Sequence, residues 1–192
     1  TIRCVPLSIP YQGLLEVQGE CIMRLSTLEA YNKTADEPLK NARNAAAGAL
    51  RNLDPKVTAR RKLDAFFYNI TVLEGKTLES HQQMLDFLRE NGFPVSPMAQ
   101  SAKDIDEAIL YINRIAEERN SLDFLIDGAV IKIADFATRR ALGYTDKFPR
   151  WAVAFKFEAE ETTTKLEDVT WELGRTGKLT PLAHVEPVEL AG

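Results

Sequence analysis

The sequence predicts an α+β fold, and three features carry that prediction. Short β-branched and aromatic runs are closed by turn residues, and two consecutive segments carry helical apolar stripes. Beyond Arg119 the pattern changes to brief apolar strands whose only charges are single lysines.

The first strand is expected over Leu14-Leu15-Glu16-Val17-Gln18-Gly19-Glu20-Cys21-Ile22-Met23, where apolar and polar residues alternate around Glu16 to Glu20. At a period of two, Glu20 faces away from Val17. Residues 41 to 52 are alanine-rich and predict a helix stopped near Leu53, because Pro55 disfavours the helical conformation at Asp54. Ala65 to Leu73 is β-branched and aromatic and runs into Glu74-Gly75-Lys76, a strand entering a turn. A helix capped by Ser80 carries Met84, Leu85 and Leu88 on one face and ends at Asn91-Gly92. Asp104 to Arg119 repeats the pattern with Ile105, Ala108, Ile109, Ile112 and Ile115. Ala129 to Ile133 and Ala152 to Phe157 predict short strands, and residues 162 to 192 predict two strands around a tight Gly174-Arg175-Thr176-Gly177 turn. A two-stranded ribbon buries no core alone, so this last segment extends the main domain or opens a second one.

At 192 residues the chain has room for one full domain and a little more. Its longest charge-free stretches, residues 4 to 15 and 91 to 102, contain prolines and fall well short of the ~20 apolar residues of a membrane helix, so no span is expected. No secretory signal pattern opens the chain, and a start at Thr1 without Met suggests a piece of something longer. Cys4 and Cys21 sit in apolar, strand-like surroundings and read as reduced, packed thiols of a cytosolic protein; with two histidines, His81 and His184, no metal-ligand spacing assembles. The net charge of −4 argues against a general nucleic-acid binder, yet charge is segregated. Residues 33 to 62 carry eight Lys/Arg against three Asp/Glu, and residues 139 to 156 carry five against one. Such patches suit phosphates or are ordinary solvated faces.

In Asp127-Gly128-Ala129-Val130-Ile131-Lys132 a glycine lets the backbone pass close to a flat ligand, and the lysine ends inside an apolar strand, where an ammonium calls for an anion. Lys156 repeats this between Phe155 and Phe157, on the face opposite both rings. Two such lysines facing one cavity would clamp a phosphate; the alternative is an exposed strand face whose lysines discourage edge pairing. Glu20 could accept hydrogen bonds from ribose hydroxyls or help hold a divalent cation, or be an ordinary exposed carboxylate. Arg43 and Arg51 lie about 80° apart around a helix with only small residues between them, so they could reach adjacent phosphates; close helix packing explains the alanines equally.

Five strings, Glu16 to Glu20, Asn41 to Arg51, Asp127 to Lys132, Trp151 to Phe157 and Gly174 to Gly177, stand in the order found in bacterial NAD-dependent DNA ligases, and the chain resembles that family over essentially its whole length. The resemblance implies a nucleotidyltransferase fold of the ATP-grasp-like DNA ligase adenylation type, with mainly antiparallel sheets and flanking helices. It would occupy residues 1 to 160, with the first strands of an OB-fold β-barrel over residues 161 to 192. It implies NAD as AMP donor, Mg2+, and zinc only in a C-terminal part outside these residues. The partner would be nicked double-stranded DNA, with a monomer acting in the cytoplasm in DNA replication and repair. In that family a K-x-D-G lysine takes AMP from NAD, passes it to the 5′-phosphate at a nick, and the 3′-hydroxyl then displaces it. By position, Glu20 resembles the carboxylate on the AMP ribose, and Lys132 and Lys156 the catalytic pair that neutralises the α-phosphate. Arg43, Arg51 and Arg119 match positions that contact AMP or nick phosphates.

The departures are as informative. No K-x-D-G occurs among the 192 residues, and the nearest string, Lys62-Leu63-Asp64-Ala65, lacks the glycine, so the adenylated lysine is absent and the chain by itself is expected to be inactive. Ala42 and Glu158 stand where the family commonly has proline. Competing expectations are a non-catalytic nucleic-acid-binding module using the two basic patches, and a degenerate homologue serving as a protein-interaction surface.

Overall fold

The computed structural model describes residues 2–158 and 161–188. Along the chain run β1 (Leu15–Ile22), α1 (Leu25–Asn32), α2 (Ala42–Leu50), α3 (Pro55–Arg60), β2 (Asp64–Leu73), α4 (His81–Glu90) and α5 (Ile105–Glu118). A single 3-10 turn at Arg119–Ser121 leads to β3 (Gly128–Lys132), α6 (Phe136–Leu142), β4 (Ala152–Lys156), β5 (Leu166–Leu173) and β6 (Leu179–Val185). The strands pair as three antiparallel ribbons, β1–β2, β3–β4 and β5–β6, so helices and antiparallel strands make an α+β chain. Two compact units divide between Phe157 and Glu158.

Local caps explain the helices that the sequence announces. Ser80 accepts a hydrogen bond from the Gln83 amide at the start of α4, and Gly92, at φ 77°, follows its C-cap. Asn41 and Asp104 cap α2 and α5 in the same way. Three further helices are not among those expected. The N-cap of α1, Arg24, supplies no side-chain bond; instead Asp123, nearly a hundred residues on, accepts from the Leu25 amide through its carbonyl and from the Ser26 amide through its carboxylate. Pro55 begins α3, since a proline at the first helical position has no amide to leave unpaired. The helix α2 stops at Leu50, with Arg51 as its C-cap, short of the expected Leu53. The third, α6, carries a local cap that the sequence reading passed over, the Asp135 carboxylate accepting from the Thr138 amide.

The core of the first unit has two parts. Ala42, Ala45, Ala46 and Ala49 turn one face of α2 onto Met23 and Leu63, and their small size lets that helix lie close. Met84, Leu85 and Leu88 of α4 pack against Ala65, Phe67 and Phe93 beneath β1–β2. Gly19 is needed in this ribbon, because a Cβ there would stand 2.7 Å from the Phe66 carbonyl oxygen and 2.9 Å from the Phe67 ring. The register slips twice, between Glu16 and Val17 and between Gln18 and Gly19, which leaves Thr71 and Tyr68 of β2 without partners opposite them. A bulge of this kind re-aims its side chain.

Cys21 lies on β1, but Cys4 sits in a turn and not in the expected strand-like setting. Both are free thiols, and burial raises both; for Cys4, with Asp64 also beside it, the pKa is raised to about 11. In the second unit, β5 and β6 close on the Gly174 to Gly177 turn, where the Gly177 amide donates to the Gly174 carbonyl at 2.9 Å. Of the segment expected to form this ribbon, residues 189 to 192 lie outside the described residues.

Candidate functional site

The β3–β4 ladder pairs Gly128 with Lys156 and Lys132 with Ala152. Directly paired residues share a face and residues two apart along a strand share it too, so Lys132 and Lys156 stand on one face of the ribbon. Four residues at ~3.4 Å each separate them by about 14 Å along the strands. Phe155 and Phe157 meet edge-on at 6.1 Å on the other side. Gly128 admits the opposite strand: a Cβ there would lie 2.4 Å from the Phe155 carbonyl oxygen and 3.2 Å from the Lys156 Cα.

At one end of the ribbon, cations gather on a carboxylate. The Lys156 ammonium donates to Asp127 Oδ2 at 2.7 Å, and Arg43 Nη1 of α2 reaches the same oxygen at 3.7 Å. The Lys156 ammonium holds the Asp127 carboxyl below the usual carboxylate range, with Arg43 adding to the effect. Backbone fixes this arrangement, since the Phe157 amide donates to the Asp127 carbonyl at 3.1 Å. The Arg119 guanidinium lies 5.6 Å over the Phe157 ring. Arg43, Arg119, Asp127 and Lys156 therefore share one end of the ribbon, joined by α2, the 3-10 turn, β3 and β4.

Lys132 marks the other end. Its ammonium stands 5.4 Å over the ring of Tyr68, the bulged residue of β2. Burial and then the nearby Arg139 lower its pKa. His81 is brought to the same region because the start of α4 is tied to the loop after β3: the His81 amide donates to the Ala134 carbonyl and the Phe136 amide to the Glu79 carbonyl, both at 2.8 Å. Burial, with Lys132 and Arg139 adding, pushes the His81 pKa down to about 4, and its Nδ1 is buried without a partner. Arg139 is stacked between Phe136 and Trp151, at 4.8 and 4.5 Å from their centroids.

The charge state of His81 is testable through stability. Below its ordinary pKa of 6.5 the unfolded chain binds a proton that the folded chain refuses until about 4, so stability is lost as pH falls through that window. A denaturant midpoint measured from pH 7 to 5 should fall, and His81→Gln should flatten the slope; an unaltered slope would show that the imidazole is not held neutral.

The other expected residues are not joined to these groups. Glu20 is exposed on β1 opposite Phe66, and Arg51 is the exposed C-cap of α2, with Nε donating to the Ala47 carbonyl at 3.3 Å. Among the described residues neither forms an ion pair with the lysine-bearing ribbon. Three residues were missed in the sequence: Asp127, Tyr68 and His81. Asp127 stood in the same string as Lys132 and could have been weighed as its neighbours' counter-ion, whereas a bulge and a helix start tied to a distant loop leave no local signal. A cavity of about 470 Å³ between β2, α6 and Trp151 is lined by neither lysine, although Arg139, Phe136 and Trp151 from the Lys132 end of the ribbon border it. Among the described residues no three His, Cys, Asp or Glu side chains gather as a metal-binding group, and no helix is long and apolar enough to cross a membrane.

The same residues lie within a region with recognisable relatives. A family model described as the NAD-dependent DNA ligase adenylation domain matches residues 1–160, and one described as the NAD-dependent DNA ligase OB-fold domain matches residues 163–192. Proteins named DNA ligase from Alkaliphilus metalliredigens and Alkaliphilus oremlandii are each 60% identical over all 192 residues. A protein named DNA ligase 2 from Clostridium acetobutylicum is 52% identical over the same span. In each case the match covers 100% of this chain and 29% of the relative, so the chain spans about 29% of the length of these curated relatives.

Proposed function

The chain belongs to the NAD-dependent DNA ligases, and on that footing we propose that it forms the phosphate and ribose side of an adenylate pocket in an enzyme that seals nicks in duplex DNA. The proposed architecture is a nucleotidyltransferase fold over residues 1 to 160 followed by the opening strands of an OB-fold over 161 to 192. The observation that carries the reading is the placement of Lys132 and Lys156 on one face of a ribbon whose Gly128 allows close approach.

NAD is the AMP donor in this reading, and the reaction passes through an enzyme–AMP and a DNA–adenylate intermediate. The attacking lysine is not among these residues, so their work is to bind and orient. Lys156, steadied by Asp127 at one end of the ribbon, and Lys132, about 14 Å away along the strands, would lean toward an α-phosphate held between them, whose oxygens gain charge in the transition state. Tyr68 beside Lys132 offers a partly exposed flat ring to a purine. Glu20 offers its carboxylate to ribose hydroxyls, and Arg43, Arg51 and Arg119 contact AMP or nick phosphates. Mg2+ bound with the nucleotide would neutralise phosphoryl oxygens, and exposed Glu20 is the type of oxygen donor it takes. A monomer acting on nicked DNA in the cytoplasm completes the proposal.

Calorimetric titration with AMP tests it. A charge-assisted hydrogen bond contributes about 1.5–3 kcal/mol, so Lys132→Ala should weaken binding by about ten- to a hundredfold. Equal affinity in the variant would sink the adenylate reading and favour a nucleic-acid-binding module without a nucleotide pocket.

A further inference from the structure

A second group of cations lines a different concavity. Arg60, the last residue of α3, and Lys62, just beyond it, border a cavity of about 370 Å³ against α1, together with Ser26, Thr27, Tyr31 and Thr34. No carboxylate lines it. Asp123, bonded to the lining residue Ser26, is committed to the start of α1, accepting from the Ser26 amide at 2.8 Å and the Ser26 hydroxyl at 2.7 Å. Arg60 and Lys62 are exposed and, among the described residues, have no ion-pair partner. Among the described residues Lys62 is the one non-glycine residue at positive φ, 45°. A side chain held there costs on the order of 1 kcal/mol in backbone strain, and such strain gathers where a group must be presented.

The concavity belongs to the block that carries the α2 arginines. The Thr58 hydroxyl donates to the Ala49 carbonyl at 2.7 Å, and Arg61 Nη1 donates to the Ala45 carbonyl at 3.1 Å, so α3 and the α2 helix with Arg43 and Arg51 are pinned together. Arg61 also lies 5.7 Å over the Tyr31 ring. That ring face is covered, so the concavity offers cations and hydroxyls but no uncovered stacking platform on that side for a base. Such a set suits the oxygens of a backbone phosphodiester better than a free nucleotide.

We propose that Arg60 and Lys62, with the Thr27 hydroxyl of α1 beside them, hold a backbone phosphate of duplex DNA, independently of sequence and of the nick. This rests on the reading that the protein acts on DNA, and the test separates the two. Affinity for nicked and for intact duplex is measured across 50–200 mM salt for the wild type and for Arg60→Gln combined with Lys62→Gln, with AMP titrated in parallel. Each phosphate contact contributes about 0.9 to the slope of log K against log salt. The double variant should therefore lose about 1 from that slope on both duplexes while its AMP affinity is unchanged, and Lys62→Arg should keep the wild-type slope. A wild-type slope retained by the double variant overturns the proposal, as does a change confined to nicked DNA or a matching loss of AMP affinity. A wild type without salt-dependent duplex binding overturns the reading of DNA as substrate, and this site with it.

Discussion

Replacing Gly128 with alanine should destabilise the first unit by about 2 kcal/mol, within the range of overpacking a tight contact, and should abolish AMP binding. The added methyl would lie 2.4 Å from the Phe155 carbonyl oxygen, which is backbone and cannot swing aside. The ladder must open where Gly128 faces Lys156, and the turn of chain that sets Asp127 against Lys156 opens with it. Gly48→Ala in the same unit is the control, since a Cβ there meets its nearest atom, the end of the Arg61 side chain, at 4.0 Å. Urea midpoints and AMP titration of both variants decide the matter; a Gly128→Ala protein as stable as the control would refute the close approach.

The second large effect is expected at Asp127. Asp127→Asn keeps the shape but removes the charge shared by Lys156 and Arg43, leaving two cations near one another without their anion. In a ligase carrying this segment, adenylate transfer should slow by on the order of 10²-fold, the magnitude seen when a preorganised charge is misplaced. Ground-state affinity for the nucleotide should hold or rise, because a carboxylate that competes with phosphate for Lys156 is gone. The loss should thus fall on kcat with KM little changed. A loss confined to KM would assign Asp127 to binding instead of positioning. With its carboxyl held below the usual carboxylate range, Asp127 is ionised at neutral pH, and the grip on Lys156 is lost only when acid protonates it.

Elements with their own caps and stripes were legible: α4 between Ser80 and Gly92, α5 behind Asp104, and the strands bearing Lys132 and Lys156. Family membership was legible too, because five ordered strings survive in sequence without any knowledge of contacts. Of the elements that were missed, α6 has a plain local cap at Asp135, whereas the others depend on a distant partner or on a signal with two meanings. Asp123 starts α1 from across the chain, and Asp54-Pro55, which reads as a helix stop, opens α3.

The sequence by itself determined which residues could carry charge, where the main strands and the striped helices α4 and α5 form, and the family, since each of these is written in neighbouring residues. Only the tertiary structure decided that Lys132 and Lys156 share a face, that Arg43 and Lys156 converge on Asp127, and that a bulge places Tyr68 beneath an ammonium. Those outcomes turn on strand register and on helices set against each other. Register is chosen by the packing of residues far apart in the chain, so local pattern leaves it open.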